Sequence, residues 1–583
     1  MSVKDALYIG SSPRSRELFH MGSPATMSEK KKEELFGGTT ADAVDTVDAV
    51  ALTGSAEWTD RSCFENGAPL EATLDPTEYK KLERRARFKM DVQVVPLCLL
   101  LYLLSFLDRT NIAQAVLDGD AASGQSTKNP GLMTSLGLTP HDYAVALTVL
   151  YPTYIALEVP SNLLIKRLGP RIWIPGLVIL WGIVETLQGL VSSRTGLYIN
   201  RIFLGATEAG ILPGIAVYLT FFYTPNELQF RQAFFFTGAS LSGAFSGLLA
   251  AAIRKMDGIA GQHGWQWIFY LEGIFTVLVG VACIFLMPNE AESCFLLTNT
   301  EKQLVRERLN RANDRFRDRH ELAAKLEKSE CTTGVEDAPQ PGPAPWHRDV
   351  MRAFTDMRLI LTCVLGFCSA LSVYSIAYFS PTIVKNMGEY STIQAMLMSC
   401  PPFAVSFAYS ILMAIVSDRL RQRYVTIIAG LGLCTIGLAV VLGCKESMTR
   451  YGGIILMTSG SFSVPPALFT WLANNASGHY KRATGLALLI VFTNCSGLTS
   501  SWLFNTKTES PDFTRGISTN LAIAALGMVI STAIELSILY ERKQRQAGRR
   551  DERVVSLYQK TGWSNDHMRL YMGDDHPDYH LEL

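Results

Sequence analysis

The sequence predicts an all-α polytopic membrane protein, with twelve transmembrane helices in two pseudo-symmetric six-helix bundles. Three observations carry this expectation. Apolar residues, 48% of the 583, gather into blocks of about 20, each able to span ~30 Å of hydrocarbon as a helix. A polar stretch at 288–357 divides those blocks six and six. Lys and Arg collect at alternate loop ends, which an even number of spans places on one side of the membrane.

Residues 1–79 are rich in Ser, Thr, Ala, Gly and Glu and lack apolar periodicity, so they read as a disordered cytosolic tail. They contain no short apolar core followed by a cleavage-type site, so the first spanning helix is expected to act as the insertion signal. The basic amphipathic stretch YKKLERRARFK leads into it. Spans are expected near 92–116, 142–165, 172–192, 197–222, 232–253 and 266–287, giving an N-terminal bundle over 80–287. The central loop, 288–357, joins a charged helical pattern, EKQLVRERLNRANDRFRDRHELAAKLEK, to a Pro/Gly segment, DAPQPGPAPW. Further spans near 358–380, 392–416, 424–444, 451–473, 483–505 and 517–540 give a C-terminal bundle over 358–541, followed by a tail at 542–583.

Lys166, Arg167, Arg171, Arg231, Arg419, Arg421, Arg423, Lys481 and Arg482 mark one set of loop ends, and both tails add more. The positive-inside bias makes that side, with both termini, cytosolic. The opposite loops keep isolated cations at Lys128, Arg254, Lys255 and Lys445. On this topology the sequon at Asn475 faces the cytosol and that at Asn494 lies within a span, so neither should carry glycan.

Formal net charge is zero, so nothing points to nucleic acid as a partner. The eleven cysteines show no C-x-x-C spacing and mostly lie within apolar blocks, where a reduced cysteine behaves as a small hydrophobe. No disulfide framework, metal site or cofactor is expected. No nucleophile–base pair or nucleotide loop appears either, which argues against a membrane enzyme.

The chemistry concentrates in charges that an apolar helix should not tolerate. Asp108 and Arg109 end the run VQVVPLCLLLYLLSFLDRTNIAQAV, while Arg201 and Glu208 lie within GLYINRIFLGATEAGILPGIAVYLTFFY. A charge at membrane depth is unfavourable by at least ~2.5–3.5 kcal/mol, so it usually faces a cavity, has a partner and marks a substrate or ion path. Arg201 and Glu208 share one helix face about two turns, ~10 Å, apart. Such a wall suits a carboxylate and protons. The alternative is a set of interhelical salt bridges that only lock the bundle.

The loops SNLLIKRLGPR and AIVSDRLRQR, at equivalent places in the halves, resemble the loop motif of the major facilitator superfamily. The strings LDRTNI, EVPSNLLIKRLGP, RIFLGATEAGILPG, GWQWIFYLEG and LANNASGHYKRATG resemble its anion:cation symporter family, and within that the fungal allantoate and nicotinate permease branch. The ending GDDHPDYHLEL is similar to the tail of those members, so the resemblance covers 80–583.

The resemblance implies a carrier that moves a small organic anion with protons or another cation, and the expectation is a proton-coupled monomer in the plasma membrane. Asp108 and Glu208 are then the protonation sites and Arg109 the cation that meets the substrate carboxylate, which guanidinium binds bidentately. Arg201 pairs with one of the acids and belongs to the substrate-binding set. Tyr154 stands where family members carry a substrate-contacting aromatic, although a tyrosine in a span also serves packing. Tyr374 and Tyr378 lie one turn apart on the seventh span, a cavity-lining helix in the superfamily. Asn494 in the eleventh contacts substrate or makes an interhelical hydrogen bond. Arg167, Asp418 and Arg419 form the implied cytosolic latch, with Lys166 standing where the first-half acid belongs.

Glu272 reads as a structural partner and Glu158 as part of the latch, while Glu185 is outside the family pattern and reads as fold support or a substrate contact. Glycines 205, 210 and 214 in the fourth span and 238, 243 and 247 in the fifth read as close-packing seams. The alternatives to uptake are an exporter of a fungal secondary metabolite on the same fold, or an anion sensor that does not turn over.

Overall fold

The computed structural model describes residues 75–118, 130–309, 346–387, 390–420, 422–477, 479–504, 513–561, 572–577, 579 and 581, all within one unit, Asn66–Leu583. Most of the N-terminal tail and the greater part of the central-loop helical pattern lie outside the described residues.

Twelve helices are long and apolar enough to cross a membrane: α1 Pro76–Ala115, α2 Pro140–Asn162, α3 Pro170–Gln188, α4 Arg194–Thr220, α5 Phe234–Met256, α6 Gly264–Leu286, α7 Met357–Met387, α8 Thr392–Leu420, α9 Arg423–Gly443, α10 Ser447–Asn475, α11 Tyr480–Leu503 and α12 Thr514–Gln546. Among the described residues there is no strand. The ends of α1 and α12 run beyond the expected spans: the basic stretch before the first is one continuous helix with it, and the last continues to Gln546. Charge patterning marks where apolar residues stop, but a helix rich in Lys, Arg and Glu continues past that point on its own propensity.

Polar caps start several of these helices. Thr139 opens α2 with a reciprocal box, its hydroxyl accepting from Asp142 N at 3.2 Å and its own N–H donating to the Asp142 carboxylate at 2.9 Å. Ser193 caps α4 and Ser391 caps α8. Helix α4 is interrupted at Ala209–Gly210, immediately after Glu208.

The glycines work as seams, but with particular partners. A Cβ on Gly238 would lie 3.1 Å from Leu99 O of α1, and one on Gly247 would lie 2.5 Å from Met396 O and 2.6 Å from Cys400 Sγ of α8. Gly243 faces the Phe403 ring of α8, while Gly205 and Gly210 abut α2. The α5–α8 seam therefore joins the two bundles, as the α2–α11 packing does on the other flank. At the end away from the termini the bundles meet directly. Lys385 of α7 donates to Asp118 O after α1 at 2.7 Å, and Trp502 of α11 donates to Thr148 of α2 at 2.8 Å. At the terminal end Phe236 packs on Phe469, ring centroids 4.9 Å apart.

Charges at the terminal end tie each bundle to itself. Arg231 grips Asp91 with two bonds, at 2.6 and 2.7 Å, in the first bundle. In the second, buried Lys481 lies 2.7 Å from Asp356 and 2.5 Å from Asp574. The C-terminal tail is thus part of that bundle: Arg545 donates to the carbonyls of Asp574 and Tyr579, both at 2.8 Å, and Leu581 is buried beside Leu359, Ile534 and Ile538. Burial opposes ionisation of Asp356, but Lys481 outweighs it and holds that carboxyl below its ordinary range. Its contribution to stability is present above that range and lost as pH falls through the lowered value.

Two outcomes follow from this packing. Gly247→Leu should wedge α5 from α8 and increase thiol labelling of Gln114→Cys, which reaches Ser399 of that seam from α1, in a background cleared of reactive cysteines. Unchanged labelling would show that the seam does not control that end. Lys481→Met leaves two carboxylates without their shared cation, so thermal stability in detergent should fall by about 3–5 kcal/mol. Adding Asp574→Leu should restore part of it, and no recovery would mean that the tail is not held by this charge.

Candidate functional site

Successive residues of a helix point ~100° apart, so Asp108 and Arg109 leave α1 on different sides. Arg109 shares its face with Ser105, one turn earlier, and both reach Glu208 of α4. The Arg109 guanidinium lies 2.8 Å from the Glu208 carboxylate, and the Ser105 hydroxyl donates to the same oxygen. Glu208 is held there because Gly205, one turn before it, lets α4 lie against Leu150 and Thr153 of α2.

Arg109 also faces the second bundle. Its Nη1 donates to the Tyr374 hydroxyl of α7 at 3.4 Å, and Tyr374 in turn donates to Asn494 of α11 at 3.3 Å. The guanidinium sits 5.1 Å from the centre of the Tyr154 ring, a cation–π geometry. Tyr374 and Tyr378 stack at 6.0 Å, and Tyr151 of α2 hydrogen-bonds Tyr378. Phe106 of α1 stacks on Tyr374 and is itself met edge-on by Phe462 of α10. All of these side chains are buried, with Glu208 at 0% and Arg109 at 6% exposure, so the cluster is occluded between the bundles.

The structure therefore brings together Arg109, Glu208, Tyr154, Tyr374, Tyr378 and Asn494. It puts Asp108 and Arg201 elsewhere, inside the first bundle. Asp108 accepts from the Trp181 indole of α3 and has Arg201 as a charged neighbour, while Glu208 is paired with Arg109 rather than with Arg201 on its own helix. Arg201 faces Glu185 as well. Seven-residue spacing places Arg201 and Glu208 on one face, but two turns of rise carry them to different layers.

Glu158 lies one turn from Tyr154 and acts electrostatically on Tyr154 and Tyr374; it is buried at the cluster's edge. The carboxyl oxygens of Glu272 have no hydrogen-bond partner, so hydrogen bonding does not make it the structural partner expected of it. Of the latch residues, Asp418 is met at 2.6 Å by Arg423 from its own half, five residues on, rather than by an arginine across the bundle. Arg419 is exposed, and the side chains of Lys166 and Arg167 lie outside the described residues.

Ser105, Phe106, Tyr151, Phe462 and Trp181 were missed by sequence reasoning. Helical spacing could have found the first and third, since Ser105 is four residues before Arg109 and Tyr151 three before Tyr154. Nothing local in the sequence marks the others, which depend on which helices meet.

Residues 98–500 match the family model of the Major Facilitator Superfamily. An uncharacterised transporter of Schizosaccharomyces pombe is 29% identical, with 83% of this chain and 90% of that protein covered. The MFS-type transporter cnsO of Penicillium expansum is 27% identical, covering 85% and 90%. The high-affinity nicotinic acid transporter of Saccharomyces cerevisiae is 27% identical, covering 80% of each. Among solved structures, a bacterial homologue of the lysosomal transporter Spinster, facing inward, gives a TM-score of 0.53 at 15% identity over 76% of this chain and 95% of that one. The partially occluded xylose transporter XylE of E. coli gives 0.53 at 13%, over 75% and 96%. Twelve spanning helices, an occluded polar cluster between two bundles and these relatives lead to one conclusion: the chain is a multi-pass membrane transporter that belongs to the major facilitator superfamily, among its fungal permease-like members.

Proposed function

We propose that this transporter carries a small organic anion together with protons by alternating access. One observation carries the reading: the only acid ion-paired to Arg109 among the described residues is Glu208, and the same guanidinium touches Tyr374 of the opposite bundle. A substrate carboxylate entering between the bundles competes with Glu208 for that guanidinium, whose planar fork suits it. Glu208, left in a site closed to water without its counter-ion, is neutralised by taking a proton. Anion and proton thus load together, and the released pair re-forms when both leave.

The tyrosines set the rest of the pocket. Hydroxyls of Tyr374 and Tyr378 and the Asn494 amide offer polar contacts, and the stacked rings favour a flat, nicotinate-like acid, in keeping with the yeast relative, a nicotinic acid transporter. Asp108 serves as a second protonation site, with Arg201 supporting it from behind rather than touching substrate. The carrier is a monomer working at the plasma membrane with both termini in the cytosol, a placement supported by the bias of Lys and Arg toward the terminal end.

Uptake of labelled carboxylates, nicotinate first, by a transporter-deficient yeast expressing this chain tests the proposal. Accumulation that collapses with a protonophore is expected, and carboxylate uptake indifferent to the proton gradient would contradict it. Arg109→Lys keeps the charge but loses the fork and the ring contact, so uptake should fall at least tenfold with normal surface expression. Normal affinity in that variant would reject the clamp. Glu208→Gln mimics the protonated acid, so exchange of internal for external substrate should survive in vesicles while proton-driven accumulation is lost. Accumulation that still follows the imposed pH difference would reduce Glu208 to a packing partner.

A further inference from the structure

The ion pair of Arg109 with Glu208 uses one cation and one acid of the first bundle's interior. Besides Glu158 of α2 at the edge of the substrate cluster, Asp108 on α1, Glu185 on α3 and Glu272 on α6 remain, exposed by 1%, 0% and 4%, with Arg201 of α4 at 1% as the cation among them. Asp108 is influenced by Glu185, Glu208 and Arg201; Glu185 by Arg201, Glu272 and Glu208; Glu272 by Asp108. Tyr143 of α2 and Tyr378 of α7 also face Arg201.

The layer is set by close packing of α3 on α6. A Cβ on Gly182 would lie 2.8 Å from Val277 N, and one on Gly273 would lie 2.5 Å from Thr186 N. The second contact adjoins an acid on each side: Thr186 follows Glu185, and Gly273 follows Glu272. Polar capacity here is unused. No hydrogen bond reaches either carboxyl oxygen of Glu185 or Glu272, the Nε and Nη2 of Arg201, or the amide of Gln188 one turn beyond Glu185. Only the Trp181 indole supplies a bond, to Asp108.

Three buried acids with one guanidinium cannot all stay ionised, because an unpaired buried carboxylate takes up a proton instead. No group of three side chains able to hold a metal ion exists among the described residues. A proton on a carboxyl group balances such a cluster without further ligands. We propose that Glu185 is a proton-binding site of its own, out of substrate contact, which exchanges its proton with Asp108 while Arg201 favours whichever of the two is ionised. In that exchange a proton leaves one carboxyl and joins the other carboxylate, so the charge of the cluster is unchanged. The proposal rests on the proton-coupled reading above and adds a carrier to it: Glu185 gives Asp108 a reserve proton that substrate never contacts.

The test uses the full chain reconstituted in lipid, without substrate. Infrared difference spectra between acid and alkaline buffer report protonated carboxyl groups by their C=O stretch. The wild type should show titrating bands, of which Glu185→Gln removes one, while Asp108→Asn removes another and shifts the band assigned to Glu185. Glu185→Asp keeps an acid of altered reach, so its band should move rather than vanish, which guards against loss through misfolding. Bands unchanged in Glu185→Gln would overturn this inference alone. Bands unchanged in Asp108→Asn and Glu208→Gln as well would overturn the proton-coupled reading itself. A spectrum that responds to sodium at constant pH would overturn the assignment to protons.

Discussion

Arg109 and Glu208 hold each other in place because neither can remain charged alone in a site closed to water. Removing one partner from a buried ion pair is unfavourable by about 3–5 kcal/mol, so whatever enters the cluster must replace what it displaces. That constraint orders the surrounding helices. Helix α1 presents Ser105 and Arg109 on one face, α4 brings Glu208 across a glycine contact, and α7 supplies the hydroxyl that connects the pair to the second bundle. An anion and a proton are the pair of species that together satisfy both groups when they part.

The rest of the charge is arranged so that the bundles can move as units. At the terminal end, Arg231 with Asp91 and Lys481 with Asp356 and Asp574 each bind helices of a single bundle. Between bundles the contacts are mostly apolar, aromatic or single hydrogen bonds, such as Phe236 on Phe469 and Trp502 to Thr148. Strong interactions within bundles and weak ones between them are what rigid-body rocking about a central site requires. The glycine seam of α5 on α8 brings the backbones close.

Much of this was legible in the sequence. Blocks of apolar residues gave twelve spans, because a bilayer demands continuous helices of that length. Arg109 and Glu208 stood out because charges inside such blocks are exceptional, and Asn494 as a polar break in one, whereas Tyr154, Tyr374 and Tyr378 were singled out by the family resemblance. What the sequence left open is direction around the helix axis once neighbours are chosen. Asp108 adjoins Arg109 in the chain yet turns to Trp181, and Arg201 shares a face with Glu208 yet sits two turns away among other acids. Asp418 illustrates the same limit, since the arginine that meets it is Arg423, at the start of the next helix of its own half. Glu185 stood out only as an acid in a third span, and its role depends on the α3–α6 seam that no local pattern announces.

The central claim is that a carboxylate and Glu208 compete for one guanidinium. Calorimetry of the purified transporter, binding the best-taken carboxylate of the uptake series in buffers of different ionisation enthalpy, counts the protons that accompany binding. The account predicts net proton uptake on binding, close to one per carboxylate, as Glu208 surrenders Arg109. Binding with no proton taken up would contradict it.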